Sequence, residues 1–308
     1  MSAPAGLAPG LGGEASRLAG QAPGLAAAAP RQEGGPAAVP ARPLRIALVG
    51  CGAIGQIVLE AIRRDAAFEV AAVVTTARGA GAAAAFLRGL GIEAEVGTAL
   101  PPSGIDLVAE AAGQEAVARH VVPALRRGIR GIVASVGALS VPGCAEAIEA
   151  AAREGGTQVE MIAGAIGAID ALAAARTGRL DSVRYFGRKP PQAWRGTPAE
   201  TSHDLDALAA PAVVFSGSAR EAALRFPKNA NVAATVAFAG LGLDRTEVQL
   251  IADPAATQNV HVLQAEGEFG RLELILSNAP SARNPKTSAL AAYSLVRALG
   301  RQAAPLCV

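Results

Sequence analysis

The stretch that most constrains this chain runs from Arg45 to Arg64. An aliphatic run, Ile46-Ala47-Leu48-Val49, enters Gly50-Cys51-Gly52-Ala53-Ile54-Gly55, and apolar residues then recur at helical spacing through Ile57, Val58, Ala61 and Ile62. Strand, G-x-G-x-x-G turn and helix in that order are the opening of a βαβ unit that holds a dinucleotide. The first glycine lets the chain turn off the strand, the second removes a Cβ where a pyrophosphate approaches, and the third lets the helix lie close on the sheet. Unpaired N–H groups at the helix start then face the phosphates. Gly50, Gly52, Ala53, Ile54 and Gly55 are therefore read as cofactor contacts.

Which dinucleotide is bound turns on the end of the second strand, Phe68 to Val74. About 20 residues past the glycines an Asp or Glu would hold the ribose 2′-hydroxyl of NAD. Thr75 stands there instead, with Arg78 three residues on, so nothing repels a 2′-phosphate and a nearby arginine can bind one. The expected cofactor is NAD or NADP.

Short apolar strands and helical patterns alternate from Leu44 onward, as in a parallel sheet with crossover helices. Further strands are expected at 105–112, 131–137 and 158–162, with their carboxyl-end loops opening on one crevice. After Arg179 the pattern changes to period two, at 182–186, 246–251, 259–266 and 271–276, as in a largely antiparallel sheet with one wet face. Segments 218–224 and 231–238 read as helical. Asn284 followed by Pro285 reads as the cap and first position of a last helix. The fold class is thus α/β: a Rossmann-type doubly wound parallel sheet plus an α+β domain with a mostly antiparallel sheet. The expected division is an Ala/Pro/Gly-rich disordered extension at 1–42, a dinucleotide-binding domain at 43–164, a catalytic domain at 165–284, and a C-terminal helix at 285–308 packing back on the dinucleotide-binding domain.

Composition narrows the partners. A net charge of +2, with no basic block interleaved with aromatics, argues against nucleic acid. Every apolar run is broken before the roughly 18 to 20 residues a membrane span needs. Three scattered cysteines suggest neither a disulfide framework nor a metal site, so a reducing cytoplasm and no metal are expected. No early basic residue precedes a compact apolar stretch, so no signal peptide is expected.

Three histidines are candidates for proton transfer. His120 lies on a helix flank and suits a structural or solvated role. His203, in Thr201-Ser202-His203-Asp204, resembles a capping turn, because adjacent residues do not form a triad. His261 lies mid-strand, where a satisfied core histidine and a catalytic one are both open readings. Lys189, Lys228 and Lys286 sit at loop or helix starts that could present cations to an anionic substrate.

Taken together, the glycine turn, Gly164-Ala165-Ile166-Gly167-Ala168-Ile169-Asp170, Phe186-Gly187-Arg188-Lys189-Pro190-Pro191, Phe215-Ser216-Gly217-Ser218-Ala219, Pro227-Lys228-Asn229-Ala230-Asn231-Val232-Ala233-Ala234-Thr235, Asn259-Val260-His261 and Asn284-Pro285-Lys286-Thr287-Ser288 resemble the L-aspartate dehydrogenase family. The resemblance covers about Leu44 to Leu299. It implies NAD(P)-dependent oxidation of L-aspartate to iminoaspartate, which feeds NAD biosynthesis or hydrolyses to oxaloacetate and ammonia, and it implies a homodimer. It also implies His261 as the active-site histidine, with Ala165 and Asn231 contacting the cofactor. Two rival readings remain open. One is a related two-domain reductase, resembling dihydrodipicolinate reductase or homoserine dehydrogenase. The other is a non-catalytic dinucleotide sensor.

Overall fold

The computed structural model describes residues 42–227, 231–281 and 284–307. Six strands form a fully parallel sheet in the order β3-β2-β1-β4-β5-β6: β1 (Leu44–Val49), β2 (Phe68–Val74), β3 (Glu95–Gly97), β4 (Leu107–Glu110), β5 (Arg130–Val133) and β6 (Val159–Met161). The order reverses between β1 and β4, where a doubly wound sheet places its ligand. Both faces are covered, which is why the strands read as continuous apolar runs. Ile46 and Leu48 face one core with Val58, Leu59 and Ile132, while Ala47 and Val49 face the other with Val108, Val121 and Leu125. The C-terminal helix Ala289–Ala303 joins the first of these cores through Leu295, Ala298 and Leu299 and packs on the helix Ala53–Ile62.

The second sheet has the order β11-β10-β7-β9-β8, built from β7 (Leu180–Lys189), β8 (Ala212–Ser218), β9 (Glu247–Ala252), β10 (Asn259–Gly267) and β11 (Gly270–Asn278). It is mixed: β7 and β9 run parallel, and every other pairing is antiparallel. One face buries Val183, Tyr185, Val248, Leu250 and Leu263 in a core shared with the helix Asn231–Ala239. That helix is buried on nearly every side, which fits its lack of charged residues.

Two differences from the sequence expectation concern the ends of elements. β8 ends in a capping box, Ser218 with Glu221, which starts the helix Ala219–Arg225; the strand before it was not anticipated. Asn284 does not cap a helix. Asn284–Ser288 forms β13, paired antiparallel with β12 (Pro280–Ser281), and the last helix begins only at Ala289, after Ser288. Strand pairing takes up backbone groups that a helical first turn would have left for a side-chain cap, so the hairpin displaces the helix start. Among the described residues no helix is long and apolar enough to cross a membrane.

Candidate active site

Two connected hollows lie at the carboxyl ends of the parallel strands. The larger, about 1170 Å³, is lined by Gly50, Cys51, Gly52 and Ile54 from the glycine turn, Thr75 and Thr76 after β2, residues 111–116 after β4, and Ser135 after β5. Gly50 has φ +101° and a Cβ there would meet the Ala111 backbone at 2.8 Å, so only glycine fits. A Cβ on Gly52, by contrast, would meet nothing within 4 Å, so its backbone borders open space where a phosphate can approach. Gly52 also precedes the helix Ala53–Ile62 without any side-chain cap, leaving the first-turn N–H groups for a ligand. Gly55 packs against the Gly50 carbonyl. Cleft volume, uncapped helix and exposed backbone together fit a dinucleotide.

The cleft is held by a residue that the sequence reading passed over. Glu110 ends β4 fully buried, and its Oε1 accepts from Ala112 N at 2.7 Å, Gly113 N at 2.8 Å and Ser135 Oγ at 2.8 Å, while Oε2 accepts from Ser135 N at 3.0 Å. One carboxylate thus ties the loops after β4 and β5 together. A charge closing an otherwise apolar strand was the available signal. His120, set aside in the sequence, also lines this cleft, beside Arg119.

The smaller hollow, about 150 Å³, opens next to it and shares Ile54, Ala134 and Asn231. Its lining includes Ala165, Lys189, Thr235, Asn259, His261 and Ser288. The structure therefore brings Ala165, Lys189, Asn231 and His261 into one place from four separate segments. Ala165 is anchored by its carbonyl, which accepts from Asn278 Nδ2 at 2.7 Å. Arg188, next to Lys189, points to the other face of the sheet and pairs with Asp253 at 3.0 Å. Lys228 lies outside the described residues; Lys286 is in β13, and its side chain is not among those described.

His261 is 2% exposed. Its Nδ1 lies 2.7 Å from the Tyr185 hydroxyl, and its Nε2 has no hydrogen-bond partner among the described residues. Burial, with a smaller effect of the Lys189 charge, pushes the imidazole down to about 3, so the ring is neutral near pH 7. Lys189 is also buried, with its Nζ 5.8 Å from the Trp194 ring centroid, and burial pushes it down to about 8. A cation and a proton acceptor in a small hollow beside a dinucleotide cleft suit the oxidation of a small anionic substrate.

Residues 170–302 match the family model described as aspartate dehydrogenase, C-terminal, and residues 50–161 match the NAD-binding domain of homoserine dehydrogenase. The chain is 56% identical over 266 residues to the L-aspartate dehydrogenase of Cupriavidus taiwanensis, covering 84% of this chain and 98% of that protein. To the L-aspartate dehydrogenase of Pseudomonas aeruginosa it is 54% identical over 261 residues, with the same coverage. The crystal structure of aspartate dehydrogenase from Thermotoga maritima superposes with a TM-score of 0.69 at 25% identity, covering 86% of this chain and 99% of that one.

Proposed function

The chain belongs to the L-aspartate dehydrogenase family, and from that premise we propose how its residues carry out NAD(P)-dependent dehydrogenation of L-aspartate to iminoaspartate. The observation that carries the reading is the meeting of His261 and Lys189 in one hollow that opens on the glycine-turn cleft.

The nicotinamide, when bound, supplies the acceptor for the hydride that leaves Cα of the substrate. The protein's part is to hold the two carbons in near contact and to manage charge and protons. Gly50, Gly52 and Ile54 line the cleft that receives the dinucleotide, Ala53 and Gly55 open the helix that faces it, and Ala165 and Asn231 flank its reactive end. Lys189 binds a substrate carboxylate, with Lys228 and Lys286 as further candidates. His261 is the acid/base group, acting through Nε2: it takes the proton of the substrate ammonium, releases it to solvent, and then, neutral again, accepts a proton from the water that adds to the imine. Burial is the larger cause of the low value and the Lys189 charge the smaller, and a substrate carboxylate placed beside the ring favours the imidazolium against both.

On this reading residues 43–164 bind the cofactor, 165–284 bind the substrate, and residues 1–42 take no part. The enzyme works in the cytoplasm, in keeping with free Cys51, Cys144 and Cys307, and supplies iminoaspartate for NAD biosynthesis. It acts as a homodimer through the second sheet's outer face. There Phe186 stands beside Val262 and Val262 beside Ile275, with Ile251 beside Val213 one row away, and Ile275 and Val213 are 54% and 49% exposed.

The test is cofactor reduction by purified protein with L-aspartate and NAD or NADP, against L-glutamate, L-alanine and L-homoserine. Aspartate-dependent reduction is expected, and His261→Ala lowers kcat by about 100-fold or more while leaving cofactor affinity intact. Turnover of homoserine or aspartate semialdehyde without aspartate would overturn the substrate. Cofactor binding without any reduction would make the chain a sensor.

A further inference from the structure

His261 reaches the pocket with one ring nitrogen, and the other is taken by a residue that lies outside the pocket lining. Tyr185 is 1% exposed, and its hydroxyl stands 2.7 Å from His261 Nδ1. The two residues are not directly opposite each other. In the antiparallel pairing of β7 with β10, His261 faces Gly187 and Tyr185 faces Leu263. Tyr185 reaches the histidine by leaning along its own strand across Gly187, so that the two rings lie 5.9 Å apart at 20°. A Cβ on Gly187 would sit 2.9 Å from the Tyr185 hydroxyl and 3.3 Å from its Cε1, which is the space the phenol occupies.

We infer that Tyr185 is a positioning residue for His261: its hydroxyl holds the imidazole with Nε2 toward the substrate hollow, and Gly187 provides the room for it. The inference rests on the acid/base reading of His261.

A hydroxyl suits this place because its oxygen can hold the ring through a proton-transfer cycle. For Nε2 to take a proton the neutral ring carries its own on Nδ1, so the hydroxyl oxygen accepts from Nδ1–H both in that tautomer and in the imidazolium. A carboxylate there would accept the same bond but bury another charge. Burial raises the phenol further above its ordinary range, so it stays protonated and neutral. The fixed partner on one nitrogen sets which nitrogen is left for chemistry. Lys189 lines the same hollow and faces the substrate carboxylate.

Tyr185→Phe removes one oxygen and keeps the buried ring, so a residue that merely packs would tolerate it. The expected result is a fall in kcat of about 10- to 100-fold, with KM for L-aspartate and the cofactor Kd within about twofold, because Tyr185 touches neither. His261→Asn is measured beside it, and the double variant should be no slower than His261→Asn alone. Wild-type turnover in Tyr185→Phe, with His261→Asn impaired, would overturn the inference and leave the role of His261 standing. Wild-type turnover in His261→Asn would overturn that role itself. Nitrogen NMR of the unsubstituted enzyme, labelled at histidine, reads the same point without any variant. A neutral His261 ring fixed as the Nδ1–H tautomer supports the inference, and the Nε2–H tautomer or a rapidly averaged pair overturns it.

Discussion

Gly137 and Asn231 meet across the cleft: the Gly137 backbone N–H donates to Asn231 Oδ1 at 3.2 Å, although 94 residues separate them. The bond joins the turn after β5 to the first residue of the helix Asn231–Ala239, and Asn231 borders both hollows. Asn231→Ala releases that turn and removes a polar group from the place where the nicotinamide would lie. The expected outcome is a rise of about 10-fold in cofactor Kd, read by quenching of protein fluorescence, with the melting temperature little changed.

Glu110 carries a different expectation, because its four bonds lie entirely inside the protein. Glu110→Ala leaves three backbone N–H groups and the Ser135 hydroxyl without their acceptor in a buried place. Each buried donor that stays unsatisfied costs about 1–3 kcal/mol. Glu110→Gln keeps the shape but offers one acceptor oxygen, and should fall between the two. Urea denaturation followed by circular dichroism measures both, and unchanged midpoints would remove Glu110 from the framework of the cleft.

What the sequence could disclose depended on whether a residue's role is local. The glycine turn, its strand and its helix are contiguous, and all three were legible from Leu44 to Ile62. The alternation in β10 and β11 likewise survives in any register, so both strands were read close to their ends. The link between Tyr185 and His261 is not local. It depends on which residue of β7 faces His261, and a shift of one position would turn Tyr185 to the other face. Glu110 was half hidden: its bonds to Ala112 and Gly113 are local, but those to Ser135 form only once β4 and β5 pair. Asn284 misled because Asn-Pro is also a good helix start, and pairing with β12 overrode the local preference.

The choice between cofactors is read at the end of β2. Thr75 lines the cleft in the place of a ribose-binding carboxylate, Thr76 Oγ1 accepts from Gly79 N at 3.2 Å to close the turn, and Arg78 stands exposed within it. Thr75→Asp puts a negative charge where a 2′-phosphate would lie. It should lower kcat/KM for NADP by about 10-fold or more while sparing or improving NAD. Equal effects on both cofactors would place the adenosine ribose elsewhere.

Lys189 opposes stability and function at one position. Its burial favours the neutral amine, and its folded value of about 8 lies below the ordinary 10.5 of an exposed lysine. Between those two values the unfolded chain binds more protons than the folded one. Stability therefore rises with pH across that window, and the cost of burying the charge is present in full below it. Lys189→Met should raise the melting temperature at pH 7 and flatten the pH dependence between about 8 and 10.5. The same change removes the cation offered to the substrate and should raise KM for L-aspartate by about 10-fold or more. Thermal melts across that pH range, set against aspartate kinetics of the same variant, decide the matter. A variant that is no more stable at pH 7 would mean that its partners already compensate the buried charge, and an unchanged KM would assign the substrate carboxylate to another group.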